Sequence, residues 1–443
     1  MHRSLPLLLR AIAYGLRGGF LIRPFVIALV LGLSGAALSS IEEQVPTLSG
    51  WVPSTLFPSG QDPQVAQVIL GDIAMSIMTV VSIVFAILLM TLTLASTQFS
   101  PRILISFVRD RGTQWTLGVF LGTFAYCLAA LPAARSQPIA FVPVLTVTGA
   151  MLLALIAVGW LIFFIHHISQ AISVNHIIDR IARETELVID ELMPRQRGRV
   201  EPMSRPLVES IDTPILNQRS GYVRFVDFNQ LLHLTRSWRI RVRVERGVGQ
   251  FVPAGVPLFF VSREDRIDPL RIAELLGAFD VGATRTLQQD VEFGVIQIVD
   301  IALRAISPAV NDPSTAISCI DQLSRILIRW LGRAPPPSTL FDPPHVPRVV
   351  VPWISVDGML DTAFEQIRHY AASDAAVSLR LLRAIGDIGG TLRPGDLRDK
   401  LLERARRVAD GCQGRLEKVD ADRVLQRLAT IKQRLAAGDP YSV

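Results

Sequence analysis

Lysine is nearly missing from this chain: Lys400, Lys418 and Lys432 are the only three in 443 residues. No Walker lysine, Schiff-base lysine or lipoyl-type attachment lysine can therefore precede residue 400, which argues against ATP-driven work by this chain. Cysteine is as scarce. Cys127, Cys319 and Cys412 lie far apart without a metal-ligand spacing, and a reducing cytoplasm does not favour disulfides, so buried thiols are expected. The Asp, Glu and His residues form no HExxH or similar spacing. No GxSxG or Cys-His arrangement suggests a hydrolase. No cofactor, metal or catalytic set is expected, and the chain leans away from being an enzyme. Long apolar runs are missing after residue 170, whereas four occupy the stretch before it.

A helix needs about 20 mostly apolar residues to cross a bilayer core. The four runs fall at 20–38, 73–95, 115–131 and 139–165, within a transmembrane domain expected over 20–170. Residues 1–19 (with LLLRAIAYGLRGG) read as an interfacial amphipathic segment. A signal peptide fits poorly, because four arginines, the last Arg23, precede the unbroken apolar stretch that begins at Phe25 and three more runs follow it. The positive-inside rule sets the orientation. Arg3, Arg10, Arg17 and Arg23 come before span one, and Arg102, Arg109 and Arg111 lie between spans two and three. The loop from Ser39 to Asp72 holds acids and no Lys or Arg. Apart from Arg135, all segments agree on cytoplasmic N- and C-termini, and a bacterial inner membrane is the expected location.

The alkaline balance has the same origin. Of 45 basic and 39 acidic residues, eight and five precede residue 176, leaving 37 and 34 for the rest. The soluble part is nearly balanced, so no nucleic-acid partner is expected. Charge is also absent from the span centres, which argues against a proton-coupled carrier. Span two carries hydroxyls instead. Asp72, Ser76, Thr79, Ile83, Ala86, Met90, Thr93 and Thr97 follow steps of four and three along one stripe. Two readings are open: a pore lining in a homo-oligomer, with Asp72, Ser76, Thr79, Thr93 and Thr97 on the path, or a packing seam, the commoner use of such residues. Gly118 and Gly122 form a GxxxG suited to close helix approach. At the cytoplasmic mouth, Pro101 ends or kinks the helix, and Arg102, Arg109 and Arg111 sit at headgroup level or draw anions inward. His166 and His167 end span four as boundary residues or as a pH or metal site.

The remainder divides into a stalk helix and linker (171–219), a small β module (220–264) and a mainly helical region (265–443). Apolar Ile177, Ile178, Ile181, Leu187 and Val188 recur at helical intervals within the stalk. In the β module, GYVRFVDF, WRIRVRVE and VPLFFVS alternate or are β-rich between turns. Gly247 to Val261 (GVGQFVPAGVPLFFV) resembles the half-motif of lipoyl or biotinyl-type barrels, without the family's modified lysine. Only the fold carries over, as a module for packing or assembly. From Asp268 onward the pattern is helical, with one short strand (VVVPWISV) after the proline-rich linker.

Two long pieces are distinctive: TRTLQQDVEFGVIQIVDIALRAISPAVNDPSTAISCIDQL and DTAFEQIRHYAASDAAVSLRLLRAI. With STQFSPR and RDRGTQ near the second span, they resemble the bacterial predicted-membrane-protein family called domain of unknown function 2254, over nearly the whole chain. The resemblance implies several N-terminal spans and a C-terminal cytosolic region, and no reaction or substrate. Within the first piece, Asp290, Glu292, Asp300 and Asp312 gather around one helix–loop–helix, with Asp312 as N-cap and Pro313 at the first helical position. One reading is a polar cavity for a cation or small ligand near Arg285, Gln289, Arg304 and Asn311. The commoner one is a capped, salt-bridged turn.

The expectation is thus a mainly α protein: a four-helix transmembrane module, then a cytosolic α+β region of a small β-barrel-like module and a helical bundle. The lipid bilayer is its first partner. An oligomeric channel or transporter for a small ion or solute leads the functional readings. A non-conducting scaffold or sensor that binds a ligand or partner through its cytosolic part is the alternative.

Overall fold

The computed structural model describes residues 22–52, 62–98, 111–137, 140–171, 173–193 and 210–437. The chain divides between Ser173 and Val174 into two compact units. The first contains four helices long and apolar enough to cross a membrane: α1 (Ile22–Gln44), α2 (Pro63–Gln98), α3 (Arg111–Ala130) and α4 (Val144–Ala171). Each corresponds to one expected span, with shifted ends. Asp62 accepts from Gln64 N at 2.8 Å just before Pro63 and so starts α2 ten residues ahead of the apolar run. At 1.5 Å per residue α2 is about 54 Å long, well beyond the about 30 Å of a hydrocarbon core.

Helix α3 is the hub of this unit, half buried where the other three are mostly exposed. Its glycines explain the approach of α1. A Cβ on Gly118 would lie 2.5 Å from Ile27 Cδ1, and one on Gly122 would lie 2.4 Å from Leu31 Cδ1. Gly35 returns the favour from α1, where a Cβ would lie 2.7 Å from the Tyr126 carbonyl. The GxxxG is therefore a packing seam between α3 and α1. Polar ties hold one end of the unit. Glu42, 1% exposed, accepts from Leu145 N (2.7 Å), Thr146 N (3.0 Å) and Thr146 Oγ1 (2.9 Å), and so caps the start of α4. Arg135 pairs with Glu43, and Gln67 Nε2 donates to the Ala134 carbonyl at 2.6 Å.

In the second unit a β region and a helical bundle are interleaved along the chain. Strands β1 (Thr213–Leu216), β2 (Gly221–Val226), β3 (Val242–Val244), β4 (Phe251–Val252), β5 (Pro257–Val261), β6 (Phe279–Gly282), β7 (Thr339–Asp342) and β8 (Val346–Val350) form two sheets. One has the order β1-β5-β3-β8-β7, the other β4-β2-β6. All pairings are antiparallel except β3 with β8. Helices α6 (Phe228–Ser237) and α7 (Pro269–Leu276) contribute Leu231, Leu234 and Leu275 to the same core, in which Phe259 stacks on Phe279 at 5.1 Å.

The β region therefore reaches well past residue 264. Strand β6 falls in a stretch expected to be helical, and β8 arrives after two intervening helices to pair Val242 with Val349. The VVVPWISV segment is strand only up to Val350, and its last valine opens a helix. The lipoyl-like segment contributes β4 to one sheet and β5 to the other. They are joined through a turn in which Gly255 has φ +81°, a region that glycine enters without steric cost.

The bundle comprises α5 (Val174–Leu192), α8 (Val291–Ala305), α9 (Pro313–Leu331), α10 (Val356–Tyr370), α11 (Ala375–Thr391), α12 (Asp396–Cys412) and α13 (Lys418–Ala437). The expected stalk helix α5 is one of its core members. Ile177, Ile178, Ile181, Ala182, Thr185, Val188 and Ile189 are buried, and Thr185 seats on Gly294 of α8, where a Cβ would lie 1.9 Å from Thr185 Oγ1. An arginine ladder joins α5 to α9 and the residues just after it. Arg325 reaches Asp179 (2.9 Å) and Glu186 (2.5 Å), and Arg329 and Arg333 both reach Asp190. Cys127, Cys319 and Cys412 are all buried free thiols. Burial pushes the Cys319 thiol far above its ordinary value.

Candidate functional site

Helix α8 begins where Asp290 turns its carboxylate onto the Phe293 N–H at 3.0 Å. Arg285 then grips the same carboxylate with both arms, Nε to Oδ2 at 2.7 Å and an amino group to Oδ1 at 2.8 Å. That amino group also donates to Glu292 Oε2 at 2.9 Å, and Glu292 Oε1 accepts from Thr362 Oγ1 of α10 at 3.1 Å. Gly249, at φ +86°, lies against this pair. A Cβ there would meet Asp290 Oδ2 at 2.4 Å, so only glycine fits. Gln289 uses its amide like a strand neighbour, accepting from Val226 N (2.9 Å) and donating to the Val226 carbonyl (3.2 Å).

Burial pushes the Asp290 carboxyl above its ordinary value, and the Arg285 guanidinium and Phe293 N–H oppose that shift. Burial would by itself lower Arg285, but its two carboxylate partners leave it above its ordinary value.

This network forms one wall of a cavity of about 290 Å³ within the second unit. Leu192 and Met193, at and just past the end of α5, line it from one side. Trp330, Leu331 and Arg333 line it at the end of α9, and Trp353 and Ile354 line it ahead of α10. The two indoles differ. Trp353 Nε1 donates to the Pro337 carbonyl at 3.1 Å, whereas Trp330, 6% exposed, has a buried Nε1 with no acceptor among the described residues. The cavity is thus mainly apolar, with the Arg285–Asp290–Glu292 network and Arg333 along its walls. Its size is close to the lower end of small-molecule sites, about 300–1,000 Å³.

The structure separates the expected carboxylate cluster. Arg285, Gln289, Asp290 and Glu292 converge at the start of α8. Arg304, Asn311 and Asp312 lie at or beyond its other end, about 22 Å away for 15 residues at 1.5 Å each. Asp312 caps α9 through Thr315 N (3.1 Å) and Thr315 Oγ1 (2.6 Å), with Pro313 next, as the Asn-Asp-Pro order predicts. Those bonds hold its carboxyl below the usual range. Asn311 adopts φ +49° in the turn before it. Asp300 and Arg304 have partners of their own. Of the whole cluster, then, the α8 end meets a cavity and the α9 end is a helix cap.

The span-two stripe lies on the exposed side of α2. Asp72, Ser76, Thr79, Ile83, Ala86, Met90 and Thr93 all face away from α1, α3 and α4, while Leu70, Ile77, Val84 and Thr91 face inward. It is not a seam within this unit. Thr79 and Thr93 donate to the carbonyls of Met75 (3.0 Å) and Leu89 (2.9 Å), so neither hydroxyl is left unsatisfied in an apolar medium. The side chain of Thr97 lies outside the described residues.

At the expected cytoplasmic mouth, His166 contacts Gln170 Nε2 at 3.0 Å, and His167 stacks on Phe163 and covers Gly112. No group of three or more His, Cys, Asp or Glu suited to a metal occurs among the described residues. Arg102, Arg109, the 1–19 segment and most of the 194–219 linker lie outside the described residues, as does the side chain of Arg111.

Sequence reasoning reached Asp290 and Glu292 but missed Trp330, Arg333 and Trp353. Trp330 and Arg333 stand three residues apart at the end of an apolar-periodic helix, just before the proline run. Trp330 lies in the last turn of α9 and Arg333 follows its Gly332 C-cap, so helical spacing does not relate them or reveal what they meet.

Comparison with known proteins places the chain. No solved structure matches it. An uncharacterised protein of Mycobacterium bovis and another of Mycobacterium tuberculosis are each 33% identical over 389 residues, covering 86% of this chain and 73% of theirs. The family model described as "Predicted membrane protein (DUF2254)" matches residues 17–387. With four membrane-length helices ahead of a mixed α/β unit and these relatives, the chain belongs to the DUF2254 family of predicted membrane proteins.

Proposed function

We propose that this membrane protein is a ligand-responsive receptor of the bacterial inner membrane, with both termini and the second unit in the cytoplasm. Its cavity takes a small molecule, and helix α5 carries the effect of occupancy towards the spans. One observation carries this reading: the cavity is walled by the end of α5, a helix that starts three residues after α4 ends. The arginine ladder and the Thr185–Gly294 contact seat α5 within the bundle. The topology rests on the arginine distribution. Arg135, the one basic residue on the other side, pairs with Glu43.

The test uses the full chain in lipid nanodiscs with a chemically diverse fragment set. Binding is read by ligand-observed NMR, and exchange of the α5 amides by mass spectrometry. Leu397 of α12 also lines the cavity; fragments should bind saturably and slow exchange over 174–192, and Leu397→Trp, which places an indole in that space, should abolish both. A fragment set without a single binder, or binding untouched by Leu397→Trp, sinks the receptor reading.

A second reading starts from the exposed stripe on α2: an oligomeric channel in which copies of α2 surround a path for a small ion. Ion flux into liposomes should then fall when Thr79 and Thr93 become Leu. Flux that is absent or unchanged removes this reading.

A further inference from the structure

The charges around the cavity select among its occupants, a selection that rests on the receptor reading above. Of the Arg285–Asp290–Glu292 network, the two carboxylates line the space and Arg285 does not. Both carboxylates share that one guanidinium, so the wall keeps a net negative charge. Beside the lining residues Val356 and Leu397, Asp357, Asp361 and Asp396 share Lys400 and Arg404, again one carboxylate in excess. Among the described residues the one cation in the lining is Arg333, which is 12% exposed and bound to Asp190. A cleft with an excess of one sign concentrates ligands of the other.

The two carboxylates are not equally available. Asp290 is 4% exposed, and its oxygens already take both arms of Arg285 and the Phe293 N–H. Glu292 is 30% exposed. Its Oε2 accepts once, from Arg285, and its Oε1 accepts once, from Thr362. A carboxylate oxygen accepts two hydrogen bonds, so Glu292 keeps one site on each oxygen for a donor in the cavity. The cavity is open on one side, so a charged head at Glu292 keeps part of its hydration and avoids the full cost of burial. The rest of the lining, Leu192, Met193, Leu331, Trp353 and Ile354 among it, is apolar or aromatic.

We propose that the cavity binds a small organic cation, with an apolar body against the Leu192, Trp353 and Ile354 side and an ammonium group that donates to Glu292. Its volume, about 290 Å³, equals about ten water molecules at roughly 30 Å³ each, which suits a body of fused-ring size rather than a lipid chain.

Three probes of one shape separate the chemistries: 2-naphthylmethylamine, 2-methylnaphthalene and 2-naphthoate. Each is titrated onto the full chain in nanodiscs of zwitterionic lipid, with empty nanodiscs subtracted and dissociation constants taken from ligand-observed NMR. The amine should bind about 10-fold more tightly than the hydrocarbon, the effect of one hydrogen bond to a charged group, and the carboxylate should bind most weakly. Glu292→Gln, which keeps the shape and removes the charge, should bring the amine to the hydrocarbon's affinity and leave the hydrocarbon unchanged. Thr362→Val, which keeps the Glu292 charge and removes one of its hydrogen bonds, should retain the preference for the amine. Equal affinity of amine and hydrocarbon in the wild type overturns the cation assignment, as does tighter binding of the carboxylate. A preference that survives Glu292→Gln, or that Thr362→Val removes equally, overturns the assignment of the ammonium to Glu292. Loss of hydrocarbon binding in Glu292→Gln marks a structural defect, and the wild-type ranking then decides. In all these cases the receptor reading stands. No binding by any of the three overturns the cation assignment; the receptor reading falls only with the wider fragment set or with binding that persists in Leu397→Trp.

Discussion

Removing Asp290 tests whether the wall of the cavity is held by an ion pair or merely decorated by one. Asp290→Ala deletes three contacts at once: two bonds from Arg285, at 2.7 and 2.8 Å, and the cap to Phe293 N at 3.0 Å. A lost N-cap costs about 1 kcal/mol. Removing one partner of a buried pair costs about 3–5 kcal/mol, because the other charge is stranded. Arg285 is not stranded completely, since Glu292 remains at 2.9 Å and is 30% exposed. The total should therefore sit near the lower end, about 3 kcal/mol. Arg285→Met strands Asp290, which is only 4% exposed, and should cost about 3–5 kcal/mol at neutral pH. Burial already pushes Asp290 upward, so without Arg285 the carboxyl can shed its charge by protonation. That variant should regain stability relative to wild type as pH falls.

The double variant Arg285→Met/Asp290→Asn decides the matter. It leaves no buried charge from the pair, and Asn is as good an N-cap as Asp. It should return to within about 1 kcal/mol of wild type, since replacing both members of a buried pair is often nearly neutral. Hydrogen exchange on the full chain in nanodiscs gives the opening free energy of peptides within 291–305. The reasoning fails if the two single losses simply add in the double variant, or if each single variant loses less than about 1 kcal/mol.

Further predictions concern the seats of the helices and the acid limb of stability. Gly294→Ala places a Cβ 1.9 Å from Thr185 Oγ1; overpacking of about 1–3 kcal/mol should outweigh the helix-propensity gain of about 1 kcal/mol. Thr185→Ala should relieve part of the loss, as read by exchange in α5 and α8, and additive single effects would refute the contact. In the membrane unit, Gly122→Leu should lower the melting temperature because its Cβ meets Leu31 Cδ1 at 2.4 Å, whereas Gly159→Leu, with nothing within 4 Å, should not. Equal effects would mean that α1 does not rest on α3 there. Asp190, Asp312 and Glu365 are held below their ordinary values by Arg329, by Thr315 and by Arg368 respectively. Their contribution is complete above the unfolded values, about 4, and is lost as pH falls through the lowered ones. The melting temperature of the second unit should therefore drop below about pH 4, less steeply in Asp190→Asn; an unchanged slope in that variant would exclude its pairing with Arg329 and Arg333.

What was legible in the sequence follows the range of the interactions involved. The spans are local: one run of apolar residues is enough to specify a helix that satisfies its own backbone in lipid. The caps are local too. Asn311-Asp312-Pro313 folds as its order predicts, and Asp290 caps α8 three residues ahead of the N–H it accepts. The β region was truncated because its closure is not local. Val349 joins Val242 across more than a hundred residues, and neither segment carries a sign of the other. Helix α5 was read as a stalk because its periodicity declares an apolar face without declaring a partner. The partner is α9, about 140 residues later, reached by Arg325 and Arg329. The cavity was legible on one wall only, since Trp330 and Arg333 resemble the end of any amphipathic helix.

The α2 stripe shows why hydroxyl content alone is a weak guide to a polar path. Thr91 is buried against the other helices, and Thr79 and Thr93 are exposed. All three donate to the carbonyl four residues before them. The same internal bond serves a threonine facing protein and one facing outward, so the hydroxyl cost of burial in lipid is removed in either setting. The stripe is then equally suited to lipid, to a second copy of α2 or to a path, and its chemistry does not choose among them. The cavity of the second unit is a separate matter, walled by apolar side chains and by the Arg285–Asp290–Glu292 network. If ion flux is found, it needs control from that cavity through α5 before the two observations belong to one mechanism.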